Sequence, residues 1–315
     1  MSNKSSGAVS KVTPCRTAVI NLALVFLMIA PVVFCQEETS GKEQVKTIKI
    51  RTPPPTKPPL RLANITKLPG VIKRFDLFLL MGQSNMKGRG FMPEEPKNDQ
   101  RIVMMHMKDD KWYVARHPLH LVGDAKTFEG ANNAGVGPGL SFAETLLAKE
   151  PDAVIGLIPC AVGGTAIGLW QRDAELYSNA MRRAKLAIAA TASVKPVLRG
   201  VLWLQGEADT KAELIPLYEE SLLTLVKDLR ADLGMRDLPF IVCTIGELRP
   251  DTVNQGIKAI NGILMSLPDK VSNTACVDAR DLKGHIGDFG HYDAASQEII
   301  GRRYAEKYLK LAGGK

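Results

Sequence analysis

The 315-residue chain offers no cysteine framework. Of its five cysteines, Cys15 and Cys35 stand in or beside an apolar N-terminal run, which leaves an odd three: Cys160, Cys243 and Cys276. Each of these three lies at or near the end of an apolar, strand-like stretch, where a thiol behaves as a small buried hydrophobe. A disulfide-stapled scaffold is therefore not indicated, and core packing is the expected role. No segment repeats with a period of about 20–50 residues, so a repeat array is not indicated either. The body of the chain also lacks surplus positive charge. The formal net charge is +8, but residues 1–74 hold 12 Lys/Arg against 3 Glu, while the remainder holds 29 Lys/Arg against 30 Asp/Glu. The basicity belongs to the N-terminal segments, which argues against a body that binds nucleic acid.

What is present begins with an export-like leader. Lys4, Lys11 and Arg16 precede an apolar run from Ala18 to Cys35, broken only by Asn21 and Pro31 and followed by Glu37 and Glu38. Residues 1–35 thus read as an export signal or a membrane anchor; the run is long for a cleaved signal and short of the roughly 20 apolar residues that span a bilayer. Residues 36–72 are rich in Lys, Thr and Pro, with Pro53, Pro54, Pro55, Pro58 and Pro59 close together, a composition that favours an extended spacer. The folded domain is expected over 73–315. The chain is therefore expected outside the cytoplasm, extracellular, periplasmic or anchored, with membrane contact only through the N-terminal segment.

From Lys73 onward, short apolar runs alternate with longer segments of helical periodicity, the pattern of a parallel sheet covered by helices on both faces. Strands are predicted at 75–81, 153–159, 199–204, 240–245 and 274–277, and helices at 139–149, 174–192, 211–233, 252–267 and 293–311. The expected fold class is a three-layer α/β/α sandwich with a central parallel sheet of about five strands. In such sheets ligands bind beyond the carboxyl ends of the strands, so the residues just after each strand carry the chemistry.

Four blocks stand at those positions. Gly82-Gln83-Ser84-Asn85-Met86 follows the first strand and places a serine on a turn with small neighbours. Taken alone, it equally suits a helix cap. Near the far end, Gly284-His285-Ile286-Gly287-Asp288-Phe289-Gly290-His291 precedes the last helix. Asp288 and His291 share one turn, so the carboxylate can fix the imidazole tautomer and support the base that a serine nucleophile needs. Two other readings of this block stand beside that one: His285, Asp288 and His291 as metal ligands, or polar groups capping the last helix. Val162-Gly163-Gly164-Thr165 follows the second strand, either presenting backbone N–H groups to an oxyanion or simply turning the chain. Trp203-Leu204-Gln205-Gly206-Glu207-Ala208-Asp209 follows the third, where the Gln205 amide offers a further donor and Glu207 and Asp209 orient neighbours or cap a helix.

With these blocks in view, the sequence resembles the SGNH-hydrolase superfamily and, within it, the sialate O-acetylesterase-like group, carbohydrate esterase family six. The resemblance covers about residues 73–311 and rests on GQSNM at 82–86, the glycine block, WLQGEAD at 203–209 and the Asp-x-x-His block at 288–291. It implies a serine esterase that removes O-acetyl or similar small acyl groups from carbohydrates. By that resemblance Ser84 is the nucleophile, His291 the general base and then acid, and Asp288 the orienting carboxylate. Gln83, Asn85, Gly163, Gly164, Gln205 and Glu207 are the implied oxyanion- and substrate-binding residues, and no metal or organic cofactor is expected. The expected partner is an acylated carbohydrate, not nucleic acid.

Two rival functions are kept: an SGNH hydrolase acting on lipid or thioester substrates, and a carbohydrate-binding module without catalysis. Segment 91–128, rich in Lys, Asp, His and Asn, does not suggest an apolar groove for a long acyl chain. Within or near it, His106, His117, His120, Trp112, Tyr113, Arg89 and Asn132 are noted as candidate substrate contacts. Trp170 and Tyr292 suit either a sugar-facing surface or core packing.

Overall fold

A computed structural model describes residues 74–94, 99–121, 133–189, 195–249 and 254–313. The leader, the linker and Asn132 lie outside the described residues. Strand β1 (Arg74–Gly82) is apolar along almost its whole length, and every residue after Arg74 is buried. A strand flanked by neighbours and covered on both faces needs such an unbroken run rather than alternation. Short α1 (Ser84–Lys87) follows, then β2 (Ile102–Met105), β3 (Trp112–Val114), α2 (Gly139–Lys149) and β4 (Ala153–Pro159). A 3₁₀ turn at Ile167–Trp170 leads to α3 (Glu175–Ala189) and β5 (Pro196–Leu204). After a second 3₁₀ turn at Glu207–Asp209 come α4 (Ile215–Leu233), β6 (Phe240–Cys243), α5 (Gln255–Lys270), β7 (Thr274–Val277) and α6 (Ala294–Gly313).

The seven strands form one sheet in the order β3-β2-β4-β1-β5-β6-β7. All neighbouring pairs are parallel except β2 with β3, which is antiparallel. Helices α2 and α6 pack together over one face, and α3, α4 and α5 follow one another over the other. The three-layer α/β/α architecture expected from the sequence is therefore present, with two strands beyond the expected five. Those two, β2 and β3, hold only four and three residues. Runs that short carry no readable periodicity and lie in a segment that reads as polar loop. They are joined through a turn held by Arg183 of α3, whose guanidinium is buried, bonds Asp110 and donates to the carbonyls of Met105 (2.8 Å) and His106 (3.2 Å). Helix α4 starts at Ile215, four residues later than predicted, where Pro216 supplies a pre-set φ in the first turn.

The strand order fixes where the chemistry sits. The chain builds the β4 side of β1 first and then crosses to build β5, β6 and β7 on the other side, so the carboxyl end of β1 is a switch point with an open crevice above it. Cys160 and Cys243 are buried and Cys276 half-buried, and all three are free thiols, as their apolar settings led us to expect. Trp170 and Tyr292 are both core residues. Trp170 is fully buried, meets Trp203 edge to face at 5.5 Å and donates its indole N–H to Thr165 Oγ1 at 3.1 Å. Tyr292 is fully buried, and its hydroxyl donates to the Ala279 carbonyl at 3.3 Å. Trp112 is likewise enclosed, against Phe75, and these three side chains are not substrate platforms.

His120 is also enclosed, at 1 % exposure, and so is not a substrate contact. Burial and the nearby Lys87 charge push its pKa down to about 3. In the unfolded chain the same imidazole takes up a proton near pH 6.5. The unfolded state therefore binds more protons below that pH, and stability present above pH 6.5 is lost on acidification toward about 3, by roughly 1.4 kcal/mol per pH unit. Urea melts between pH 7 and 5 should show this loss, and His120→Gln should flatten the dependence by about that slope.

Candidate active site

Ser84 is carried past the end of β1 by Gly82, whose φ of 131° and close approach to β5 admit no side chain; a Cβ there would lie 2.2 Å from the Leu204 carbonyl oxygen. The turn is stitched to both neighbouring strand ends, with the Gln83 N–H donating to Leu204 O (2.9 Å) and the Val162 N–H to Gly82 O (3.1 Å). Ser84 opens α1, where its own N–H has no intrahelical acceptor.

The partner arrives from the other end of the chain. Strand β7 is three places from β1, roughly 14 Å at the usual strand spacing, and the chain between β7 and α6 runs back over the top of the sheet. Its segment 284–293 folds on itself: Ile286 N–H donates to His291 O (3.1 Å), Asp293 N–H to Gly284 O (3.2 Å), and His285 bridges Tyr292. Asp288 Oδ1 accepts the N–H groups of Gly290 and His291, each at 3.0 Å. Asp288 Oδ2 lies 2.5 Å from His291 Nδ1, and His291 Nε2 lies 2.9 Å from Ser84 Oγ. A carboxylate only accepts, so Nδ1 carries the proton and Nε2 is left to accept the serine hydroxyl. Burial pushes the Asp288 carboxyl up, but the His291 hydrogen bond, the two N–H donors and the imidazole charge outweigh it and hold it below its ordinary value.

Asn85 is fully buried and joins the two segments. Its Nδ2 donates to Glu207 Oε1 (2.6 Å) and to the Gly290 carbonyl (3.2 Å), and its Oδ1 accepts the Tyr292 N–H (3.1 Å). Gln297 of α6 completes the tie by donating Nε2 to the Asn85 carbonyl at 3.0 Å. Thus His291 is gripped through both of its chain neighbours by the residue that follows Ser84. Glu207 is half-buried, and burial raises its carboxyl above the ordinary value despite the Asn85 bond.

Gln83 and Gln205 also face inward. Gln205 is fully buried, and its amide Nε2 meets three internal acceptors: Asp209 Oδ2 at 2.5 Å, the Thr165 carbonyl at 2.9 Å and Gln83 Oε1 at 3.3 Å. An N–H₂ group has two protons, so nothing is left for an oxyanion in this arrangement. Gln83 Oε1 additionally accepts the Ala208 N–H at 3.3 Å. In this arrangement Gln83, Asn85 and Gln205 brace the site internally, and Glu207 contacts it through Asn85. Asp209 accepts the Ile167 N–H through both carboxylate oxygens (3.2 and 3.0 Å), which fixes the chain just after the glycine block. Of that block Gly163 is buried, while Gly164 is exposed with φ 71°. Gln297 and Tyr218, whose hydroxyl donates to Gln205 O at 2.9 Å, escaped sequence reasoning, because nothing distinguishes them from other helix residues.

His285 is not grouped with Asp288 and His291 around a common centre. Its Nδ1 accepts the Gly287 N–H at 2.9 Å and its ring stacks on Phe289. Among the described residues no group of three or more His, Cys, Asp or Glu side chains is placed to hold a metal ion. His106 pairs instead with Asp109 at 2.9 Å, and Tyr113 donates to the same carboxylate at 2.8 Å.

Comparison with known proteins gives the family. Residues 74–310 match the family described as carbohydrate esterase, sialic acid-specific acetylesterase. The chain is 33% identical over 252 residues to the probable carbohydrate esterase At4g34215 of Arabidopsis thaliana, covering 74% of this chain and 90% of that one. The X-ray structure of that Arabidopsis thaliana protein superimposes with a TM-score of 0.64 at 31% identity, over 75% of this chain and 98% of the other. Two more distant structures share the fold: NanS, with TM-score 0.64, 20% identity and coverage of 78% and 100%, and a carbohydrate acetylesterase from Xanthomonas citri, with TM-score 0.56, 19% identity and coverage of 76% and 57%. The chain belongs to the carbohydrate esterase, sialic acid-specific acetylesterase family and is a carboxylic ester hydrolase.

Proposed function

We propose that this esterase removes O-acetyl or similarly small acyl groups from carbohydrates through an acyl-enzyme formed on Ser84. The carrying observation is the continuous relay from Asp288 Oδ2 through His291 to Ser84 Oγ, at 2.5 and 2.9 Å. As Ser84 Oγ bonds to the ester carbonyl carbon, its proton passes to His291 Nε2, and the imidazolium is stabilised by Asp288. The carbonyl oxygen becomes an oxyanion that the Ser84 N–H and a Gly163 or Gly164 N–H stabilise. Collapse breaks the bond to the sugar oxygen, which takes the proton from His291. Water then attacks the acyl carbon, gives a proton to His291 and releases the acid, and the serine hydroxyl is restored. The chemistry as proposed calls on no metal or organic cofactor.

The N-terminal leader supports a location outside the cytoplasm, with residues 36–72 as a spacer between envelope or membrane and the esterase domain. Among the described residues no helix is long and apolar enough to cross a membrane.

Initial rates with purified chain and acetylated sugars test the mechanism. Ser84→Ala and His291→Ala should each lower kcat by at least about a thousandfold with the thermal midpoint retained; normal turnover in either variant removes that residue from the reaction. Asp288→Asn, which no longer selects the productive tautomer, should cost on the order of a hundredfold or more. A stable wild-type chain that binds acetylated glycan without cleaving any acetate would instead mark a binding module.

The clasp on the histidine loop can be read separately. Asn85→Ala should lower kcat on the order of tenfold to a hundredfold with little change in KM, because an ångström of misplacement at the base is felt mainly in the reacting geometry. Glu207→Ala should do the same more weakly, while Glu207→Gln, which keeps an acceptor for Asn85, should recover most of the loss. If the two alanine substitutions combine additively, Asn85 and Glu207 do not act as one unit.

A further inference from the structure

Phe289 sits at the exposed tip of the loop that carries Asp288 and His291, and it is there against two local preferences. Its φ is 53°, in the left-handed region that a side chain with a Cβ disfavours, although the same loop uses glycine at 287 and 290. Its ring is 41% exposed. One face is supported by the His285 imidazole, with ring centroids 4.2 Å apart and planes inclined by 37°, and His285 is itself fixed by accepting the Gly287 N–H. The result is a partly exposed aromatic ring, backed by His285, on the turn that also carries His291. Neither packing nor backbone conformation calls for phenylalanine at this position; glycine or asparagine would suit the turn better. An unfavourable conformation kept next to reacting groups points to a role in what binds there.

We propose that Phe289 is the platform on which the sugar ring of the substrate rests, and that it contacts the alcohol portion of the ester rather than the acyl group. This rests on the esterase reading given above. His291 delivers a proton to the leaving oxygen, so the leaving sugar lies on the side of the imidazole, and Phe289 is two residues from His291 on the same turn. A pyranose presents a face of C–H groups that matches an aromatic ring, whereas its hydroxyls project from the rim toward water. The ligand class that fits is therefore a pyranoside bearing an acetyl group near one edge, laid face-down on the ring with its ester turned to Ser84.

The test compares kcat/KM on two acetate esters: a mono-O-acetylated methyl pyranoside, and glyceryl triacetate, which has no ring. The full chain is assayed as wild type, Phe289→Gly and Phe289→Tyr. Phe289→Gly relieves the backbone and removes the ring, so its thermal midpoint should be unchanged or higher. Its kcat/KM should nevertheless fall about five- to tenfold more for the pyranoside than for the triacetate, with the difference in KM. Phe289→Tyr should retain the wild-type preference. Equal losses on the two esters, or no loss on either, overturn the platform. A wild-type chain that leaves both esters intact removes the esterase reading itself and the platform with it, an outcome distinct from a variant that fails to discriminate between them.

Discussion

Everything in the site depends on one buried side-chain amide. Ser84 is fixed by the central strand, while His291 belongs to a loop that begins three strands away, and no regular element connects them. Asn85, itself fully buried, closes that gap with bonds to Gly290, Tyr292 and Glu207. A buried amide left without partners would be costly, so the loop has one favourable position in which both the donor and the acceptor of Asn85 are satisfied. That position is the one in which the imidazole meets the serine hydroxyl.

A second internal network holds the glycine block in the same way. Asp209 accepts the Ile167 N–H and the Gln205 amide, Gln205 reaches the Thr165 carbonyl and Gln83, and Tyr218 holds the Gln205 carbonyl. The tight turn after β5 that carries Gln205 needs Gly206, whose φ of 148° and approach to Ile260 leave no room for a Cβ. The Asp209 carboxyl is raised by burial even with those hydrogen bonds, which places the negative charge in an enclosed site that the amides must serve. The two networks meet at the Ser84 turn, through Gln83 on one side and Asn85 on the other. Most polar side chains of the motif blocks therefore support backbone geometry in this arrangement.

The sequence made the candidate catalytic groups legible because their signals are local. A serine leaving a strand and an Asp-x-x-His turn each announce themselves in a few residues, and the geometry brings Ser84, Asp288 and His291 together in the expected order. Gln205 and Asn85 were legible as members of the motifs but not in the internal contacts they make here, because an amide can face a substrate or a carbonyl with the same spacing. Strands β2 and β3 were hidden by their length, and Gln297 by the lack of any local mark on a helix residue that acts across the chain. Phe289 shows the same limit: its letters say aromatic, and only its φ and its exposed face distinguish it from the buried Tyr292 three residues on.

By itself the sequence determined the layered α/β architecture and singled out Ser84, Asp288 and His291 as candidates, since apolar periodicity and the residues just after each strand are properties of neighbouring positions. The tertiary structure alone decided which polar groups reach the crevice and which are turned inward to hold it. That choice is set by contacts between residues more than a hundred positions apart, such as Asn85 with Glu207 and with the Gly290–Tyr292 segment, and these form only when the sheet and its covering helices are packed.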